Sequence, residues 1–356
     1  MFAKRLLRAR KAAGLSMSAL AEEVGISTNM IKKYEHGQSM PSSGKLYKLS
    51  IALGVRSEYF FRPTKVELSG IEYRKRSTTP QKLLDRISAD VLDQAERWAE
   101  LLEFYPDSIR PVPKFTLPNN LPDHIDTFAD IEHTANQMRS EWHLGANPIP
   151  DIIDTLESKG VMIICTPIEV NNKFDGLAGK IGEIPVVVIS THQTGDRQRF
   201  TLAHELGHLV LHGRLPEGMD EEKACNHFAG AFLLPEKALK DHFGYKRSAI
   251  EPQELYMLKH EFGISMMAIL IRAGQTGIIS SSLQKHYYIE FNKQRWRTEE
   301  PGEQYPNEQT FLYKQLVYRA LSENYIGESK AAELLKMPLS HFHKERKLGK
   351  MDATTY

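Results

Sequence analysis

Residues 199–213 read RFTLAHELGHLVLHG. Leu202, Ala203, Leu206, Leu209 and Val210 surround the histidines at helical spacing, so the stretch is expected as a mostly buried helix. On that helix His204 and His208 lie one turn apart, ~6 Å along the axis and on one face. Two imidazoles so placed can converge on one zinc ion, with Glu205 beside them to take a proton from water. The same pattern also fits two buried, hydrogen-bonded histidines, so the reading depends on a third protein ligand. The position six residues after His208 is Arg214, which cannot serve. His212 would lie ~12 Å along a continuous helix from His204, too far to share an ion ~2 Å from each nitrogen, and reads as structural or supporting. A carboxylate from the next helix is left. The segment DEEKACNHFAGAFLLP offers Glu221 and Glu222, one turn ahead of the apolar stripe Cys225, Phe228, Ala229 and Phe232. Periodicity does not choose between the two glutamates, and acidic residues also favour a helix start without any metal.

The rest of the composition narrows the class. At 356 residues the chain is long enough for two or three compact units. Two cysteines, Cys165 and Cys225, cannot build a disulfide framework, which fits a reducing cytoplasm. The basic start lacks a signal peptide's apolar region, and no run approaches the ~18–20 apolar residues of a membrane span. A cytoplasmic protein without a membrane segment is therefore expected. Net charge is only +1, but residues 1–62 hold eleven Lys/Arg against four Asp/Glu. A basic head on an acidic body points to a polyanionic partner for the head.

In that head, apolar residues recur at helical spacing in short blocks: Leu6 and Leu7; Leu20, Ala21 and Val24; Met30, Ile31 and Tyr34; Leu46, Leu49 and Leu53. Gly14, Gly25, Gly37, Gly44 and Gly54 punctuate them as helix ends. Ser16 and Ser27 are placed to cap the helices at about 17–25 and 28–35. A tight turn between two such helices is helix-turn-helix geometry, in which the second helix enters the major groove of double-stranded DNA.

The stretch SMSALAEEVGISTNMIKKYEHGQSMPSSGKLYKLSIALGV resembles the XRE (Cro/C1-type) repressor family along its whole length. Its marks are Ala21, Gly25 and Ile26 around the turn, Ile31 on the buried face, then Glu35, Gly37 and Pro41. The resemblance implies that Thr28, Asn29 and Lys33 read base edges and that Lys32 contacts phosphate. It also implies a homodimer on operator half-sites. Met17 stands where the family often has a phosphate-contacting Gln, so the resemblance does not carry that one contact over.

Between head and metal motif, residues 81–104 carry a seam of Leu84, Ile87, Val91, Trp98 and Leu101, either a dimerising coiled coil or a helix packed on its own domain. Five prolines in 105–124 (Pro106, Pro111, Pro113, Pro118 and Pro122) read as an extended linker. Two helices are expected in 127–160, a strand at 161–165, a loop with Phe174, Asp175 and Gly176, and a hairpin LAGKIGEIPVVVIS turning at Gly182. The strand at 185–190 then leads into the histidine helix, an order that resembles zinc proteases with this motif, in which the sheet edge can align an extended substrate.

RFTLAHELGHLVLHG followed by ExxxNxFAxxxLLP looks like the ImmA/IrrE family of zinc peptidases, over about residues 127–300. Aligning Asn226, Phe228, Ala229 and Pro235 with the family signature implies Glu222 as the third ligand beside His204 and His208, with Glu205 as the catalytic base and Zn2+ as cofactor. Cys225 stands where the family usually has Ala, a conservative change for packing. The implied chemistry is metal-assisted peptide hydrolysis. The oxyanion-stabilising residue is not evident; His227 and His260 read as structural. Further on, YYIEFNKQRWR (287–297) reads as a packing edge, and ESKAAELLKMPLSHFHKER resembles another small helix-turn-helix.

The expected architecture is multidomain. It comprises an all-α helix-turn-helix DNA-binding domain (1–65), a helical connector with a Pro-rich linker (66–124), an α+β gluzincin-like zinc metallopeptidase domain (125–250) and a helical C-terminal region (251–356). The resembled peptidases cleave a cognate repressor, so a DNA-binding regulator with a zinc endopeptidase is expected, its target a regulatory protein, a toxin partner or its own linker. The rival is a non-proteolytic autoregulating repressor or antitoxin whose zinc domain grips a partner or senses a signal.

Overall fold

The computed structural model describes residues 1–62, 68–73, 81–109, 111–168 and 176–348; Phe174 and Asp175 lie outside them. The head comprises α1 (Phe2–Ala12), α2 (Met17–Val24), α3 (Thr28–Glu35), α4 (Ser43–Ala52) and a 3-10 turn (Ser57–Phe61). The hydroxyls of Ser16 and Ser27 accept from the Ala19 and Met30 amides, so both caps form. Gly25 ends α2 at φ 73, where a side chain is strained. Gly44 behaves differently from the other glycines, because it lies inside the first turn of α4 rather than past a helix end. Leu6, Leu20, Ala21, Ile31, Tyr34, Leu49 and Phe60 form the head's own core. Arg10 ties α1 to α3 through Glu35, at 2.9 Å from Nη2.

The body begins with strand β1 (Leu68–Tyr73) and helix α5 (Gln81–Glu103). It continues with α6 (Phe128–Glu141), α7 (Ile152–Ser158), β2 (Met162–Thr166), β3 (Leu177–Ile181), β4 (Ile184–Ser190) and α8 (Gly195–Leu211). Then come α9 (Glu221–Leu233), α10 (Glu236–Phe243), α11 (Pro252–Phe262), α12 (Met266–Gln275) and α13 (Ser281–Lys293). The chain closes with α14 (Leu312–Ser322), α15 (Glu328–Leu334) and α16 (Leu339–Arg346).

The sheet has the order β1-β3-β4-β2, with β2 parallel to β4 and the other pairs antiparallel. Successive residues of a strand point to opposite faces, and here both faces are covered, which is why MIIC (162–165) and VVVI (186–189) are continuously apolar. Ile163, Val187 and Ile189 join the large core with α6, α8, α9, α11 and α12. Met162, Ile164, Val186 and Val188 face the second core with α5, α14, α15 and α16. The sheet is the middle of three layers.

One open choice closes and three expectations change. The α5 seam (Ile87, Val91, Trp98, Leu101) is buried against the sheet, so it packs within its own chain. The proline-rich stretch is no free spacer: Tyr105 and Leu121 are buried in it, and the Pro122 carbonyl accepts from Arg214. The expected boundary at 250 cuts one core, since Leu255, Phe262, Ile269 and Leu270 pack with Leu202 and Phe228. Finally, the strand before the histidine helix is interior, flanked by β2 and β3, and β1 lies along the outer side of β3. A substrate cannot add to β4 directly.

The head sits against α5. Arg5 and Arg8 both reach Glu96, Lys11 lies 3.1 Å from Asp85, and Arg62 pairs with Glu333 of α15. A core as small as the head's stabilises only modestly, and this ionic seam adds contacts that leave α3 facing away. No helix of the described residues is long and apolar enough to cross a membrane.

Candidate metal centre

Helix α8 runs between the sheet and α9, and every residue from Thr201 to Gly207 is buried. Its approach to α9 depends on Gly207: a methyl there would lie 3.3 Å from Cys225 Cα and 3.2 Å from the Phe228 ring. With no side chain in the way, α9 comes close enough to bring its first turn over the histidines.

The result is a convergence of acceptors. His204 Nδ1 faces Asn226 Oδ1 at 2.8 Å, and His208 Nδ1 faces Glu221 Oε1 at 3.0 Å. Each Nδ1–H therefore donates outward, leaving a lone pair on each Nε2. Those two Nε2 atoms are 3.2 Å apart, and Glu222 approaches them at 3.6 and 3.4 Å. Three acceptors this close repel one another unless a cation lies between them. Tetrahedral zinc with ~2.0–2.2 Å bonds to nitrogen and oxygen sets its ligands ~3.3 Å apart, so the donor set fits that ion. Among adjacent glutamates, Glu222 meets the inner nitrogens while Glu221 orients His208.

Glu205 is 2% exposed on the same helix, whereas the Glu222 side chain is 59% exposed. The site is thus closed on the Glu205 side and open towards Glu222. Buried Gly176 packs against Thr201 and Glu205. His212 is exposed at the C-cap of α8 and takes no part in the cluster.

Sequence reasoning missed two features. Asn226 served only to align a signature, yet it fixes the His204 ring. Cys225, read as packing, brings its sulfur into one cluster with His204 and His208, all three donor atoms within 4.8 Å of one another. The i, i+3 spacing of Glu222 and Cys225 on a helix was the available signal.

The other candidates fall as follows. His227 lies 3.4 Å from Glu132, which also meets Arg272 at 2.8 Å. Against the upward push of burial, the hydrogen bond to His227 and the charge of Arg272 bring the Glu132 carboxyl down to about 2. This clamp joins α6, α9 and α12, so His227 is structural. His260 stacks edge-on with Tyr256 and meets the Glu303 carbonyl. In the head, Thr28, Asn29, Lys32 and Lys33 are all exposed on α3, while Ile31 and Tyr34 are buried. The four side chains share the outward face.

Residues 6–60 match the family described as helix-turn-helix, and residues 156–273 match a peptidase family described as the IrrE N-terminal-like domain. Similar curated proteins include the HTH-type transcriptional regulator y4wC of Sinorhizobium fredii, 32% identical over 78 residues (22% of this chain, 52% of the relative). Another is the SPbeta prophage-derived HTH-type regulator YonR of Bacillus subtilis, 34% identical over 67 residues (19% and 62%). A third is the cryptic phage CTXphi transcriptional repressor RstR of Vibrio cholerae, 38% identical over 52 residues (15% and 46%). The chain spans about half to three fifths of the length of these relatives.

Proposed function

We propose, for a chain that joins an XRE-type helix-turn-helix domain to an IrrE/ImmA-like domain, that it is a DNA-binding transcriptional regulator whose body is a zinc endopeptidase acting on a regulatory protein. The observation that carries this reading is the convergence of His204 Nε2, His208 Nε2 and Glu222 beside a buried Glu205. These three residues would hold zinc. When bound, zinc supplies Lewis-acid activation of water and of a scissile carbonyl. Glu205 takes the proton from the attacking water and returns it to the leaving amine. Asn226 and Glu221 keep the imidazoles in the tautomer that points Nε2 inward. The polypeptide enters from the exposed Glu222 side. Thr28, Asn29, Lys32 and Lys33 meet an operator as part of a homodimer, Lys32 at phosphate and the others at base edges.

A cytoplasmic setting and a protein target follow from the pairing of DNA-binding head and peptidase body. The test is to incubate the purified wild type and Glu205→Gln with the product of the adjacent gene and analyse fragments by mass spectrometry. Cleavage by the wild type alone supports the reading; an intact target with zinc-loaded wild type contradicts it.

One observation favours a second reading, a non-proteolytic repressor or antitoxin whose metal domain grips a partner or senses a signal. Cys225 offers a fourth donor, and four protein ligands make a closed site that leaves no position for water. A thiolate charge-transfer band in the cobalt-substituted protein, lost in Cys225→Ser, would support that reading if no fragment forms.

A further inference from the structure

The helices α14–α16 repeat the head's architecture at a constant offset of 311 residues (339 − 28). Met17 and Glu328 open the first helices of the two pairs, and Thr28 and Leu339 open the second; the second helices end together at Glu35 and Arg346. Between them the backbone follows one pattern. In the head, Gly25 N–H donates to the Glu22 carbonyl at 3.2 Å and Ile26 N–H to the Ala21 carbonyl at 2.9 Å. At the matching positions Lys336 N–H donates to Glu333 at 3.1 Å and Met337 N–H to Ala332 at 3.0 Å. Gly25 has φ 73 and Lys336 φ 54, the same left-handed turn. The lysine holds that conformation without glycine's freedom, so the turn is imposed by packing on either side. The buried positions correspond as well: Leu20 with Ala331, Ala21 with Ala332 and Ile31 with Phe342. Leu316, Val317 and Ala320 of α14 close the core, and Phe342 stacks on Tyr318.

The outward face is basic. Ser340, His343, Lys344, Arg346 and Lys347 are exposed on and just after α16. Glu345 turns inward to Lys314 and the Tyr318 hydroxyl. Residues 312–348 hold seven Lys/Arg against four Asp/Glu. By the offset, the head positions Asn29, Lys32 and Lys33 become Ser340, His343 and Lys344. Glu328 gathers Arg346 and His343 against the start of α15, keeping both at that face. This unit lies beyond both family matches, which end at residues 60 and 273.

We propose that α14–α16 is a second helix-turn-helix that contacts double-stranded DNA, so that one chain carries two DNA-binding units. Lys344, Arg346 and Lys347 supply phosphate contacts, and Ser340 approaches base edges. The test uses the full chain and a labelled mixed-sequence duplex, with binding followed by fluorescence anisotropy across a salt series. Four proteins are compared: wild type, the head variant Lys32→Ala/Lys33→Ala, the tail variant Lys344→Ala/Lys347→Ala and a control, Lys237→Ala/Lys293→Ala. Each phosphate contact contributes about 0.9 to the log–log salt slope, so the tail variant is expected to lose about 2 from that slope. The control keeps the wild-type slope, and thermal melting confirms that all four fold. A tail variant that binds as the wild type does overturns the proposal, as does a control that loses as much. Loss confined to the head variant overturns it while leaving the head's role intact; loss confined to the tail variant does the reverse.

Discussion

The two helices proposed to act, α3 and α8, are built on opposite terms. Along α3 the residues expected to act, Thr28, Asn29, Lys32 and Lys33, are exposed, and only Ile31 and Tyr34 anchor the helix. Along α8 they are interior: His204 is fully buried and Glu205 is 2% exposed. A DNA reader keeps hydrated charges that reach a partner, whereas a metal centre needs dehydrated lone pairs held in one geometry. Substitutions on α3 should therefore change binding and leave stability alone. Those around α8 should change metal affinity, chemistry or folding.

The largest contrast is expected at Glu205. Glu205→Gln should lower cleavage by about 10²–10⁴-fold while zinc content stays at the wild-type level, read by fragment yield and metal analysis. Next comes a buried carboxylate elsewhere in the body. Burial pushes Glu157 up to about 7 from 4.5, although Thr310 donates to it at 2.7 Å. Its folded state favours the protonated form, so its contribution is complete below pH 4.5 and is lost as pH rises through about 7. Glu157→Gln keeps an acceptor for Thr310 and should stabilise the protein at pH 8 by up to about 3 kcal/mol, with little effect at pH 4, as read by denaturant unfolding. Asn226→Ala should weaken zinc binding about 10–100-fold by freeing the His204 ring, measured by competition with a chelating dye. Smallest in their effect on the fold, and cleanest for the comparison, are Asn29→Ala and Lys33→Ala. Each should weaken operator binding by about 1–3 kcal/mol with an unchanged melting temperature. A fall in melting temperature there would break the contrast.

The same contrast explains what could be read from the chain. In the head, local chemistry suffices: the Ser16 and Ser27 caps, Gly25 in the turn and the spacing of Leu20, Val24 and Ile31 each act within a few residues. The hairpin turning at Gly182 was readable for the same reason. At the proposed metal centre, spacing alone brought His204 and His208 together but could not separate Glu221 from Glu222. Which one faces the inner nitrogens depends on how α9 crosses α8, and that rests on the missing side chain of Gly207 against Cys225 and Phe228. Long-range pairing was equally silent. Nothing local marks residues 68–73 as the partner of a strand that starts at Leu177, nor the α5 seam as one wall of a sheet-covering core. Asn226 and Cys225 were visible as letters, but their roles belong to the packed pair of helices.

The most direct measurement is zinc stoichiometry in the purified wild type, Glu222→Gln and Glu221→Gln after dialysis against a weak chelator. The wild type should hold one zinc per chain, Glu222→Gln should retain none, and Glu221→Gln should bind zinc weakly but detectably. A wild type that holds no zinc, or a Glu222→Gln variant that holds it as tightly as the wild type, would contradict the proposed metal centre.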